Sequence, residues 1–125
     1  MRNPSLSEQT DWFHQFAKQP IDQLAMQATD ANRKFFERYV IASLPGHTPP
    51  NGQSSEEFAR AVVDLLENEH QWNQALMSAI IHADDLYKTN YSLGAVSTLE
   101  SFAESCPWEL FQDIARNKAS NYRFP

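Results

Sequence analysis

Glu67-Asn68-Glu69-His70 is the stretch with the clearest capacity for chemistry. Glu-x-x-His sets a carboxylate and an imidazole on one helix face, the pairing that helical di-metal carboxylate proteins use. Such a centre needs the pair twice, plus a lone Glu from each of two further helices. The chain has no second Glu-x-x-His; His82 with Asp85 gives the order His-x-x-Asp, with a shorter carboxylate. The sequence therefore predicts no metal, and a metal-binding helical bundle stands only as an alternative reading. Cys106 is the single cysteine and precedes Pro107 near an expected helix start, a place where a thiol pKa can fall. An apolar helix precedes it, which favours a buried thiol. Nothing in the spacing pairs it with His14, His47, His70 or His82. There is no Gly-x-Ser-x-Gly, and three glycines leave little material for a phosphate-cradling loop. The expectation is no catalytic residue, no cofactor and no enzyme.

A second constellation lies in IIHADDLYKTNYSLG, residues 80–94. An apolar helical run leads into Asp84 and Asp85, with Tyr87 and Tyr91 beyond them. Carboxylates are disfavoured at a helix C-terminus, which already carries partial negative charge. One reading makes either aspartate the N-cap of a short following turn. The other keeps them for a partner, because tyrosine gives rigid contact area and is enriched at interfaces. Glu67 and Glu69 repeat the pattern at the expected end of the preceding helix. The candidate partner-binding residues are thus Asp84, Asp85, Tyr87, Tyr91, Glu67 and Glu69, with Glu100 and Glu104 in reserve.

The charge distribution supports that reading. The net charge is −6. Residues 1–44 balance five basic against five acidic side chains, and residues 110–125 are net +2. Residues 45–109 hold ten acidic side chains and only Arg60 and Lys88, net −8. A direct nucleic-acid binder or a binder of anionic membrane needs the opposite sign. A basic protein partner is favoured by steering and complementarity.

The elements that position these residues read as helices. Ser7 is expected to cap a first helix bearing Trp12, Phe13 and Phe16. Pro20 is expected to open a second that runs to about Ser43, with Ile21, Leu24, Ala25, Ala28, Phe35, Tyr39 and Val40 at helical spacing. Arg33, Lys34, Glu37 and Arg38 form a solvated, partly basic face. Residues 44–53, LPGHTPPNGQ, hold three of seven prolines and two of three glycines, which makes them a loop. Ser54 and Glu57 form a capping box ahead of a third helix. A fourth is expected from about Glu69 to Ala83, a fifth from about Ser92 to Ser105, and a sixth from Pro107. Asn121 to Pro125 reads as a frayed tail. Trp12, Trp72 and Trp108 read as core anchors. No segment alternates with period two, so the fold class is all-α: a single-domain, irregular bundle of five to seven helices over residues 1–125. No apolar run reaches the length of a membrane span, the opening MRNPSLSEQTDW lacks the apolar run of a signal peptide, and no internal disulfide can form. These features point to the cytoplasm and to a monomer.

The acidic centre, the EN-E-H and ADD-LY-K-x-N-Y stretches, and the closing SFAESCPWELFQDIA helix pair resemble the immunity proteins of bacterial toxin systems, those of contact-dependent growth inhibition above all. The resemblance implies binding to a cognate toxin domain, usually a basic nuclease, and neutralisation by covering its active site or an adjacent face. Another acidic interaction or adaptor domain is the alternative in the same physical class.

Overall fold

The computed structural model describes residues 4–49 and 52–123. Six helices follow one another: α1 Leu6–Ala17, α2 Ile21–Met26, α3 Asp30–Ser43, α4 Ser55–Lys88, α5 Ser92–Ser105 and α6 Glu109–Arg123. Among the described residues there is no strand, and the fold is all-α. The chain divides into two compact units, Met1–Asn68 and Glu69–Pro125. The division falls inside α4, which runs through both, and not at the loop of residues 44–53.

In residues 1–68 the core is aromatic. Phe13 of α1 stacks on Tyr39 of α3 with ring centroids 4.5 Å apart. Phe36 meets Phe58 of α4 edge-on at 5.5 Å, and Phe16 lies 6.0 Å from the same ring. Phe13, Leu24 and Val62 are fully buried beside them. The caps explain where these helices start. Ser5, not Ser7, caps α1: its Oγ accepts from the Glu8 N–H at 3.1 Å. The helix expected from Pro20 to Ser43 is two. Pro20 precedes α2, the chain leaves the helix after Met26, and the Thr29 hydroxyl accepts from the Asn32 N–H to open α3. A Thr cap followed by Asp30 in the first turn is a helix start that strong helix formers on both sides concealed.

Arg33 corrects the reading of α3's basic residues as a solvated face. Its guanidinium donates to the carbonyls of Ala28 (3.0 Å) and Gln53 (2.8 Å), and sits 5.3 Å over the Phe58 ring. It thereby fastens the α2–α3 turn and the end of the long loop to α4. The loop begins with a turn over Leu44-Pro45-Gly46-His47, closed by the His47 N–H on the Leu44 carbonyl. Gly46 has φ +82°, the left-handed value that the third position of a type II turn requires.

The capping box at the start of α4 forms as read. Glu57 N–H donates to Ser54 Oγ at 3.1 Å, and Ser54 N–H donates to the Glu57 carboxylate at 3.0 Å. The Ser54 backbone N–H, and after it the Ser54 hydroxyl, hold the Glu57 carboxyl below its ordinary pKa. Residues 67–70 are helical like those on both sides, so α4 does not end there.

In residues 69–125, Leu76 and Ala83 of α4 are buried, as are Leu99, Phe102 and Ala103 of α5 and Phe111, Ala115 and Ala119 of α6. Trp72 lies edge-on to Phe102 at 5.9 Å, and Trp108 is buried between α5 and α6. Cys106 ends α5 through its N–H on the Phe102 carbonyl. Its thiol is buried, hydrogen-bonds the Trp108 carbonyl, and has its pKa pushed up by burial. That is the inert form of the residue. Helix α6 starts two residues later than Pro107. It also reaches Arg123, so residues 121–123 of the expected frayed tail are helical, and Tyr122 is buried; residues 124–125 lie outside the described part.

Candidate functional site

The six candidate residues differ in their surroundings. The C-terminal end of α4 closes in a Schellman motif: Tyr91 N–H reaches the Leu86 carbonyl at 2.8 Å, and Asn90 N–H reaches that of Tyr87 at 3.1 Å. Asn90 takes the left-handed conformation (φ +64°) that this ending needs and that asparagine tolerates. Asp84 and Asp85 therefore lie inside the last turns of α4, and neither caps a following turn. About 100° of helical rotation separates them, and they have different surroundings.

Asp84 faces α6. The Tyr122 hydroxyl donates to its carboxylate, and Lys118 Nζ stands 4.0 Å from the same oxygen. Tyr87 lies against the Tyr122 ring at 4.8 Å, and the Lys118 ammonium sits 5.3 Å from that ring's centre. The hydrogen bond from Tyr122 holds the Asp84 carboxyl below its ordinary pKa although partial burial pushes the other way, and Lys118 and Lys88 help. Burial, then the bond to Asp84, raises Tyr122 to about 12. So Asp84 and Tyr87 fasten the end of α6 to the end of α4. Asp85 is exposed. Tyr91 is 57% exposed, with its ring lying over Gly94.

Glu67 is exposed, whereas Glu69 is buried. Glu69 and Asp85 are sixteen positions apart on one helix, about 24 Å of rise. Among the reserve residues, Glu100 is bound to Arg123 at 2.5 Å and Glu104 is exposed. Glu67 and His70 are both exposed, and among the described residues no three His, Cys, Asp or Glu side chains gather where a metal could sit.

The fold also redistributes the acidity. Residues 1–68 carry nine acidic and six basic side chains; residues 69–125 carry seven and four. Each unit is net −3, so the chain's net charge is shared equally between them.

The groove that joins apolar surface with carboxylates was not visible in the sequence. It lies between α2 and the start of α4, has a volume of about 330 Å³, and is lined by Ile21, Asp22, Ala25, Glu56, Ala59 and Arg60. Ile21, Ala25 and Ala59 form an apolar floor. Asp22 and Glu56 stand in the first turns of their helices, where the helix dipoles stabilise negative charge. Arg60 leans toward Asp64, 3.9 Å away and exposed. The local signal for this site is Pro20-Ile21-Asp22, but Glu56 lies more than thirty positions further along the chain.

No family model, curated protein or solved structure matches the chain. No described helix is long and apolar enough to cross a membrane.

Proposed function

We propose that this chain is a protein-binding module of the toxin-immunity kind, which holds a basic toxin domain and blocks it by covering its active site or a face beside it. The observation that carries the reading is the α2–α4 groove. Its apolar floor accepts the methylene stem of a lysine or arginine, and Asp22 and Glu56 receive the charged head. Exposed Asp85 and Glu67 and the net charge of each unit add attraction at longer range, which raises the association rate. A nuclease is the favoured toxin class, since an enzyme that holds phosphates presents the positive surface this groove complements. The reading places the protein in the cytoplasm as a monomer that meets its partner there.

Co-purification with the product of the neighbouring upstream gene tests it. The parent chain should retain a basic toxin domain, and the Asp22→Lys, Glu56→Lys pair should release it. Retention by that pair together with release by Asp85→Lys would move the interface to the end of α4. Failure of the parent chain to bind the toxin domain would end the immunity reading.

A further inference from the structure

We propose that a second groove, between α1 and α3, binds a short acidic protein segment carrying one apolar anchor residue. Two adjoining depressions form it. The first, about 160 Å³, is lined by Pro4, Glu8, Gln9, Trp12, Phe35 and Arg38. The second, about 310 Å³, shares Pro4, Gln9 and Arg38 and continues along Ile41 and Ala42. The anchor site is preformed: Trp12 is held flat on Phe16 at 4.9 Å and against Phe35 at 5.3 Å. A space of this size takes one benzene-sized apolar group. Ile41 is 60% exposed on the same helix.

The polar groups say what accompanies the anchor. Gln9 Nε2 donates to the Pro4 carbonyl at 3.1 Å, which fixes the orientation of the amide. Its Oε1 is shielded from water and accepts no hydrogen bond among the described residues. A buried acceptor left unpaired is costly, and an incoming backbone N–H would satisfy it. Arg38 stands where the two depressions meet, and Lys34, one turn earlier on α3, is exposed. Glu8, in the first turn of α1, accepts from Ser5 Oγ at 3.2 Å. Arg38, which lines both depressions, is the group that an occupant's carboxylate meets. The proposal is independent of the basic-partner reading, since it concerns different helices and the opposite charge.

Selection of random short peptides displayed on phage against the full chain tests it. Enriched sequences should place Leu, Ile, Met or Phe within three residues of Asp or Glu. A synthetic copy of the most enriched peptide should lose about tenfold in affinity on Arg38→Glu, a change at an exposed position. Gln9→Met should raise the melting temperature of the free chain yet weaken the peptide severalfold, a split that a purely structural role for Gln9 does not produce. Four results overturn the proposal: no enrichment over the bare support, enrichment of basic peptides, or an affinity indifferent to Arg38→Glu; and a concentration-dependent dimer abolished by Arg38→Glu, which would assign the groove to a second copy of the chain.

Discussion

Replacing Tyr122 with alanine should reveal how firmly the end of α6 is held. The ring is 7% exposed and lies against Tyr87, with its hydroxyl on Asp84. An aromatic side chain of this kind buries about 200 Å², worth about 5 kcal/mol at roughly 25 cal/mol per Å². Truncation to alanine keeps the Cβ, and the last turn of the helix can relax instead of preserving a void. The expected cost is therefore about 3 kcal/mol. Tyr122→Phe keeps the ring and removes only the hydroxyl, for about 1 kcal/mol. At this chain length about 4 °C accompanies each kcal/mol, so the two variants should melt roughly 12 °C and 4 °C below the parent. Thermal unfolding followed by circular dichroism reads both numbers. Hydrogen exchange should show lost protection in residues 115–122 for the alanine variant first. A Tyr122→Ala chain melting within about 2 °C of the parent would show that residues 121–123 fray, and that the link between α4 and α6 is not a source of stability.

Further consequences follow from the same geometry. Asp84 has its folded pKa depressed, so its stabilisation is present above the ordinary carboxyl value of 3.8 and is lost as pH falls through the lower folded value; Tyr122→Phe should flatten that acid-side slope in melts between neutral and acid pH. Tyr122 has its folded pKa raised from 10 to about 12, so its stabilisation is whole below pH 10 and is lost as pH climbs toward 12; a parent chain with no loss of stability across that alkaline window would refute the burial of its hydroxyl. Asn68→Pro should cost about 3 kcal/mol or more and reduce helicity, because it breaks a ladder that continues on both sides; normal melting would mean residues 67–70 are a junction after all. Arg33→Met should cost about 2 kcal/mol, since it leaves the Ala28 and Gln53 carbonyls without their charged donor; chemical denaturation measures it, and a neutral result would return Arg33 to the solvated face.

Much of the fold was legible because local chemistry and global packing agreed. The bounds of α5 and the Ser54–Glu57 capping box were readable, since each depends on a few adjacent residues. The break between α2 and α3 was not, because Gln27 and Ala28 are ordinary helix residues and only the Thr29 cap marks the new start. The unity of α4 was hidden for the opposite reason. Glu67 to His70 is polar enough to suggest an end, but a helix of this length carries a polar stretch wherever its exposed face turns outward. Of the candidate site, Asp85 and Tyr91 are exposed, while Asp84 is engaged by residues 118 and 122, a pairing set by tertiary structure alone. The awkward placement of Asp84 near a helix C-terminus is thus compensated within the chain, by Tyr122 and Lys118. The α2–α4 groove joins residues more than thirty positions apart, which no local pattern announces.

The central claim is that an acid-rimmed groove between α2 and α4 receives a basic side chain of a toxin partner. Its most direct measurement is the affinity of the partner's toxin domain for the parent chain and for the Asp22→Asn, Glu56→Asn variant, at low and physiological salt. The account predicts a loss of about 2 kcal/mol or more, roughly thirtyfold in Kd, carried partly by a slower association whose salt dependence is weaker than the parent's. A variant that binds as tightly as the parent, with an unchanged salt slope, would contradict it and return both carboxylates to the role of helix-dipole partners.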